Sequence, residues 1–127
     1  MKKTNLRRNF EIRFFERLVK DQPFYEALVC LANAYSASGF YEKGLEIDKK
    51  IISLNPDDMI ANYNIACSYS LLNDIDNAII YFKRAVLLGY DDIKGILSDP
   101  DLNNLRRDKR FSLFFNKMKK SSDFALK

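Results

Sequence analysis

Apolar residues recur along this chain at the spacing of a helix. Leu28, Leu31, Ala32 and Tyr35 follow the i, i+3, i+4, i+7 pattern, and Ile65, Ala66 and Tyr69, joined by Leu72, follow it again. After breaks at Ser38-Gly39 and Asn73-Asp74 come two further amphipathic runs. The first holds Tyr41, Gly44, Leu45, Ile47, Ile51, Ile52 and Leu54, and the second Ile75, Ala78, Ile79, Phe82, Ala85 and Val86. Each pair of runs predicts a helical hairpin. Gly39 suits the left-handed residue that ends a helix, and Asn73 is the next best choice. Near the N-terminus Phe10, Phe14, Phe15, Leu18 and Val19 form an apolar stripe opposite Arg13, Arg17 and Lys20, with a stop before Pro23. Near the other end Asp99 before Pro100 reads as a cap, and Asp108 as the cap of a last helix carrying Phe111, Leu113, Phe114, Phe115 and Met118. Residues after about Lys120 are expected to fray.

The two hairpins are copies of one another at a period of 34 residues. Ungapped alignment of Tyr25–Asp58 with Met59–Asp92 gives eight identities, among them Ala32/Ala66, Tyr35/Tyr69 and Asp58/Asp92. Ordinary residue frequencies would give about two. Ala32, Gly44, Ala66 and Ala78 are small where two helix axes must approach to about 8–10 Å, and the tyrosines fill the gaps between them.

Leu31-Ala32-Asn33-Ala34-Tyr35, then Gly39, Tyr41 and Gly44, then Leu54-Asn55-Pro56-Asp57-Asp58 resemble one tetratricopeptide repeat (TPR). Tyr63-Asn64-Ile65-Ala66-Cys67-Ser68-Tyr69 with Ala78, Phe82 and Ala85 resembles another. The chain departs from the family at Asp48, where an aromatic is usual, and at Tyr90, where proline is usual. Ile96-Leu97-Ser98-Asp99-Pro100-Asp101-Leu102 through Phe111 is similar to a tail that follows the last repeat in many bacterial proteins of this type, with Lys109 where proline is common. The resemblance implies an all-α fold, a short right-handed superhelix of antiparallel hairpins. Its expected parts are a capping helix over 9–21, repeats over 25–58 and 59–92, and a capping segment over 93–120.

In that family the first helix of each hairpin lines a concave groove that holds a peptide. The likeness places Glu26, Val29, Asn33 and Ser36 there, with Ile60, Tyr63, Cys67 and Ser70 alongside. Asn33 and Asn64 match asparagines that grip backbone or carboxylate ends in peptide-binding relatives, or else they stitch neighbouring helices together. The basic partners of such a clamp are missing, since Val29 stands where lysine would be expected.

The composition changes this picture little. Of 127 residues, 47% are hydrophobic and 30% charged, the balance of a globular protein. The net charge of +4 hides a basic N-terminus (residues 1–21), an acidic middle and a basic end (residues 101–127). Arg106, Arg107, Lys109 and Arg110 form a candidate docking patch for an acidic partner, and a nucleic acid is the less favoured occupant because no recognised binding motif accompanies them.

The chain has no histidine, its four glycines are scattered, and no nucleophile stands beside a base, so neither an enzyme nor a cofactor is expected. Cys30 and Cys67 read as reduced, mostly buried thiols, without metal-ligand spacing. Asp57-Asp58 and Asp91-Asp92 read as helix caps rather than metal ligands. Polar residues from Asn5 to Asn9 interrupt any secretory leader, and no apolar run spans a bilayer, so a cytoplasmic home without membrane contact is expected. The expected function is to bind a peptide or protein in the groove, with self-association through the Phe-rich ends as the alternative.

Overall fold

A computed structural model describes residues 2–121, and every regular element among them is helical. The last residues, where fraying is expected, lie outside the described residues. In chain order the helices are α1 (Lys2–Asp21), α2 (Tyr25–Ala37), α3 (Tyr41–Leu54), α4 (Met59–Leu71), α5 (Ile75–Leu87) and α6 (Ile93–Ser98). A 3-10 turn (Pro100–Leu102), α7 (Asn103–Arg106) and α8 (Lys109–Lys120) follow. The first helix thus reaches back to Lys2, well before residue 9 where the capping helix is expected to begin. The helices divide at Pro56/Asp57 into two compact units.

In the first unit α2 and α3 form a hairpin, and α1 packs on α2. Leu28, Leu31, Ala32 and Tyr35 of α2 are buried with Leu45, Ile47 and Ile51 of α3 and Ile12 of α1. Gly44 sits at a close approach of the hairpin, for a Cβ there would stand 3.0 Å from Ser36 Oγ. Tyr35 donates from its hydroxyl to the Glu16 carboxylate and so ties α1 to the hairpin. Burial and the Glu16 carboxylate push the Tyr35 phenol up to about 12. Asp48, at the usually aromatic position, is buried.

The second unit repeats the hairpin with α4 and α5. Ile65, Ala66, Ala78, Phe82 and Ala85 are fully buried in it. Phe82 meets Phe111 of α8 at 5.2 Å, and Phe111 stacks on Phe115 at 5.2 Å. Each such ring stabilises the unit by about 1.5–3 kcal/mol through burial. Ile96, Leu102 and Leu105 complete the core, so the tail folds back onto its own unit. Arg110 bridges Asp108 and Asp76 of α5, at 3.0 and 2.8 Å, and pins α8. Its guanidinium hydrogen bonds hold the Asp108 carboxyl below its usual range.

The turns obey local backbone chemistry. Gly39 and Asn73 take φ of 83° and 59°, the left-handed conformation their residue types favour. The next amide in each case bonds back to the carbonyl five residues earlier, Phe40 N to Tyr35 O and Asp74 N to Tyr69 O, both at 2.9 Å. Asp58 caps α4 by accepting from the amides of Ile60 and Ala61, and Asp92 caps α6 by accepting from Gly95.

Candidate protein-binding faces

The two copies present matching helix faces, and the structure treats them differently. In the second unit, Tyr63, Cys67 and Ser70 project from successive turns of α4 and are all buried. What covers them is the chain's own tail. Tyr63 donates from its hydroxyl to Asp99 Oδ2 at 2.6 Å, and the Cys67 thiol lies 3.9 Å from the same oxygen. One turn further on, Ser70 Oγ accepts from the Leu105 amide at 3.1 Å and the Ser70 carbonyl accepts from Asn104 Nδ2 at 2.9 Å. Tyr90, in place of the usual proline, stacks on Tyr63 with ring centroids 4.1 Å apart.

Tyr63, Cys67 and Ser70 therefore do not line an open groove. They hold the segment from Asp99 to Leu105, whose Leu102 and Leu105 are fully buried. Of the candidates on α4, Ile60 is exposed and Asn64 half-buried. Burial raises the Tyr63 phenol far above its ordinary value, aided by Cys67 and by the bond to Asp99. It stays a hydrogen-bond donor at any working pH, which suits a latch and offers no nucleophile. Asp101, beside Asp99, is raised by burial and by that neighbouring charge.

In the first unit the equivalent positions are open. Glu26 and Asn33 of α2 are exposed, and Val29 and Ser36 half-buried. Cys30 is also exposed, contrary to the buried thiol expected of it. It follows Leu28 by two residues, a rotation of about 200° that carries it off the buried stripe.

The basic cluster near the end divides in two. Arg106 Nη1 donates to the carbonyls of Ile96 at 2.8 Å and Asp99 at 2.6 Å, and Nη2 bonds Asn103 Oδ1. Arg106 thus holds the tail's own backbone, and Arg110 is committed to Asp76 and Asp108. Arg107 and Lys109 remain exposed. The residue that sequence reasoning undervalued is Asp99. Its capping role was visible, and Oδ1 does accept from the Asp101 amide at 3.0 Å, but nothing local shows that Oδ2 reaches α4.

Paired helices, small residues at the crossings and left-handed turns at matching positions define a helical-repeat protein, a class that presents extended binding surfaces. Residues 61–88 match the family model of the tetratricopeptide repeat, and every regular element among the described residues is helical, as in such repeats. Over 80 residues it is 39% identical to a chloroplastic protein of Arabidopsis thaliana, an overlap of 61% of this chain and 24% of that protein's length. A plant chloroplast relative lends nothing to the expectations of a bacterial source or a cytoplasmic home. No helix among the described residues is long and apolar enough to cross a membrane.

Proposed function

We propose that this chain is a protein-binding module that holds a partner segment against the exposed face of α2, centred on Glu26, Val29 and Asn33. The observation that carries the reading is the contrast between the two copies. The α4 face is filled by a segment of the chain itself, whereas the matching α2 residues are exposed or half-buried. The Asp99–Leu105 segment also illustrates how such a face engages a peptide, through side-chain bonds to a carboxylate and to backbone amides. Asn33, where α4 has Cys67, supplies an amide able to bond both donors and acceptors of a peptide backbone.

A photo-reactive residue placed at position 33 tests this in living cells. Adducts with a discrete partner, lost on Val29→Asp, are expected. A clean lane from position 33 beside normal expression would defeat the reading.

Self-association is the second reading, favoured by α1. Phe10 and Phe14 stand 68% and 52% exposed on one side of that helix, beside Arg13 and Arg17. A second copy burying these rings predicts dimers in light scattering that Phe10→Ser with Phe14→Ser dissociates, and a strict monomer at high concentration excludes it.

A further inference from the structure

We infer that the groove between α1 and the α2–α3 turn, inside the first unit, is a docking site for an acidic peptide segment anchored by an apolar side chain. This rests on the reading of the chain as a protein-binding module but uses a face other than that of α2.

The groove consists of two recesses, of about 260 and 360 Å³, which meet at Asn9 and Phe40. The larger is within the size range of small-ligand sites, about 300–1,000 Å³. Its floor is apolar, formed by the buried Ile12 and Tyr35 and the half-exposed ring of Phe40. The polar lining of the two recesses includes three cations, Arg8 and Arg13 from α1 and Lys43 from α3, beside Asn9, Glu16 and Ser38. Lys43 Nζ lies 5.8 Å from the centroid of the Tyr35 ring and 5.6 Å from that of Phe40, within cation–π range of both.

Among the described residues of the lining the one carboxylate, Glu16, already accepts the Tyr35 hydroxyl. Arg13 makes only a weak 3.4 Å contact to the Asn9 carbonyl, and among the described residues no carboxylate pairs with Arg8, Arg13 or Lys43. At the far end Ser38 Oγ is buried without a hydrogen-bond partner.

The chemistry selects the occupant. Three cations call for negative charge, and the apolar floor calls for a hydrocarbon or aromatic side chain next to it. A bare phosphate ion would leave the floor empty. A nucleic-acid strand wants a ladder of exposed rings for successive bases, and among the described residues lining the two recesses Phe40 is the one exposed ring. A lipid surface is met by protruding apolar side chains rather than a recessed floor. A peptide with one or two acidic residues flanking a large apolar one satisfies both features, with the exposed Asn9 in reach of its backbone.

The test is panning of a random dodecapeptide phage library on the full chain, followed by titration of the most enriched peptide, synthesised with a fluorescent label. Enriched sequences should pair an acidic residue with an adjacent apolar one. Affinity should fall as salt rises. Arg13→Glu with Lys43→Glu should weaken binding at least about tenfold, Arg13→Gln with Lys43→Gln less so, and Asn33→Ala should leave it unchanged. All of these side chains are exposed, and circular dichroism of each variant checks that the helices persist.

Enriched peptides without acidic residues, or affinity indifferent to the charge reversals, would overturn the inference. So would failure to enrich any peptide, including the case where the chain instead sediments with phosphatidylserine vesicles. Binding lost on Asn33→Ala but kept on charge reversal would refute the groove and leave the α2 face standing. Peptide capture here with no adducts from position 33 would do the reverse.

Discussion

The hydroxyl of Tyr63 and the carboxylate of Asp99, separated by 36 residues in sequence, meet at 2.6 Å and bind the tail to the second helical hairpin. Because the phenol is held protonated and the acceptor is an acidic side chain, the bond belongs to the stronger, charge-assisted kind. Tyr63→Phe keeps the ring stacked on Tyr90 and removes only the donor, so it should cost about 1–2 kcal/mol in urea-induced unfolding. A variant as stable as the parent would mean that Asp99 finds equivalent partners unaided and that the latch contributes nothing.

How much of this was legible in the sequence depended on which kind of information a residue carries. Leu31, Ala32 and Tyr35 reveal their helix because periodicity is local, and Gly39 and Asn73 reveal its end because left-handed backbone selects residue type. The face of α4 was different. Tyr63, Cys67 and Ser70 were recognisable as one side of a helix, but periodicity does not say what covers that side, and the answer lies three dozen residues away in Asp99 and Leu105. Arg106 misled for a related reason. A cation next to other cations reads as a solvated surface, whereas this one satisfies the carbonyls of Ile96 and Asp99.

The crossing of α4 and α5 depends on side chains that are small. Ala66 and Ala78 are both completely buried, so a longer side chain has no solvent to enter. Ala66→Leu and Ala78→Leu should each destabilise the second unit by about 1–3 kcal/mol or more by overpacking. Ile80→Lys, on the exposed side of the same hairpin, should change stability by less than about 0.5 kcal/mol. Thermal unfolding of the three variants separates the sites, and equal losses at all of them would refute close packing at the crossing.

The left-handed turns predict opposite outcomes for two substitutions. A Cβ at Gly39 would touch nothing within 4 Å, so Gly39→Ala probes the backbone conformation alone. It should cost about 1 kcal/mol, the penalty for a non-glycine residue at positive φ. Asn73 already bears that penalty at φ 59°, and Asn73→Gly should be neutral or slightly stabilising. Denaturant midpoints decide the matter, and a stabilised Gly39→Ala would show that the turn relaxes to negative φ.

Asp101 should make stability depend on pH in the direction opposite to a salt-bridged carboxylate. Burial and the nearby Asp99 raise its pKa above the 3.8 of a free side chain, so between that value and the higher folded one the native state holds a proton that the unfolded chain releases. Stability therefore falls as pH rises through this window, and above it the ionised carboxylate carries a constant penalty. Asp101→Asn removes the titration while keeping the shape of the side chain. The variant should melt at a higher temperature than the parent at pH 7, and its advantage should shrink as pH drops below the unfolded value, where the parent's carboxyl is protonated in both states. Asp101 also sits in the first turn after the Asp99 cap, where negative charge is favoured by the exposed amides. A melting series from pH 3 to pH 7 checks the sign, and an asparagine variant that melts lower than the parent at pH 7 would refute the prediction by showing that this attraction outweighs burial and repulsion.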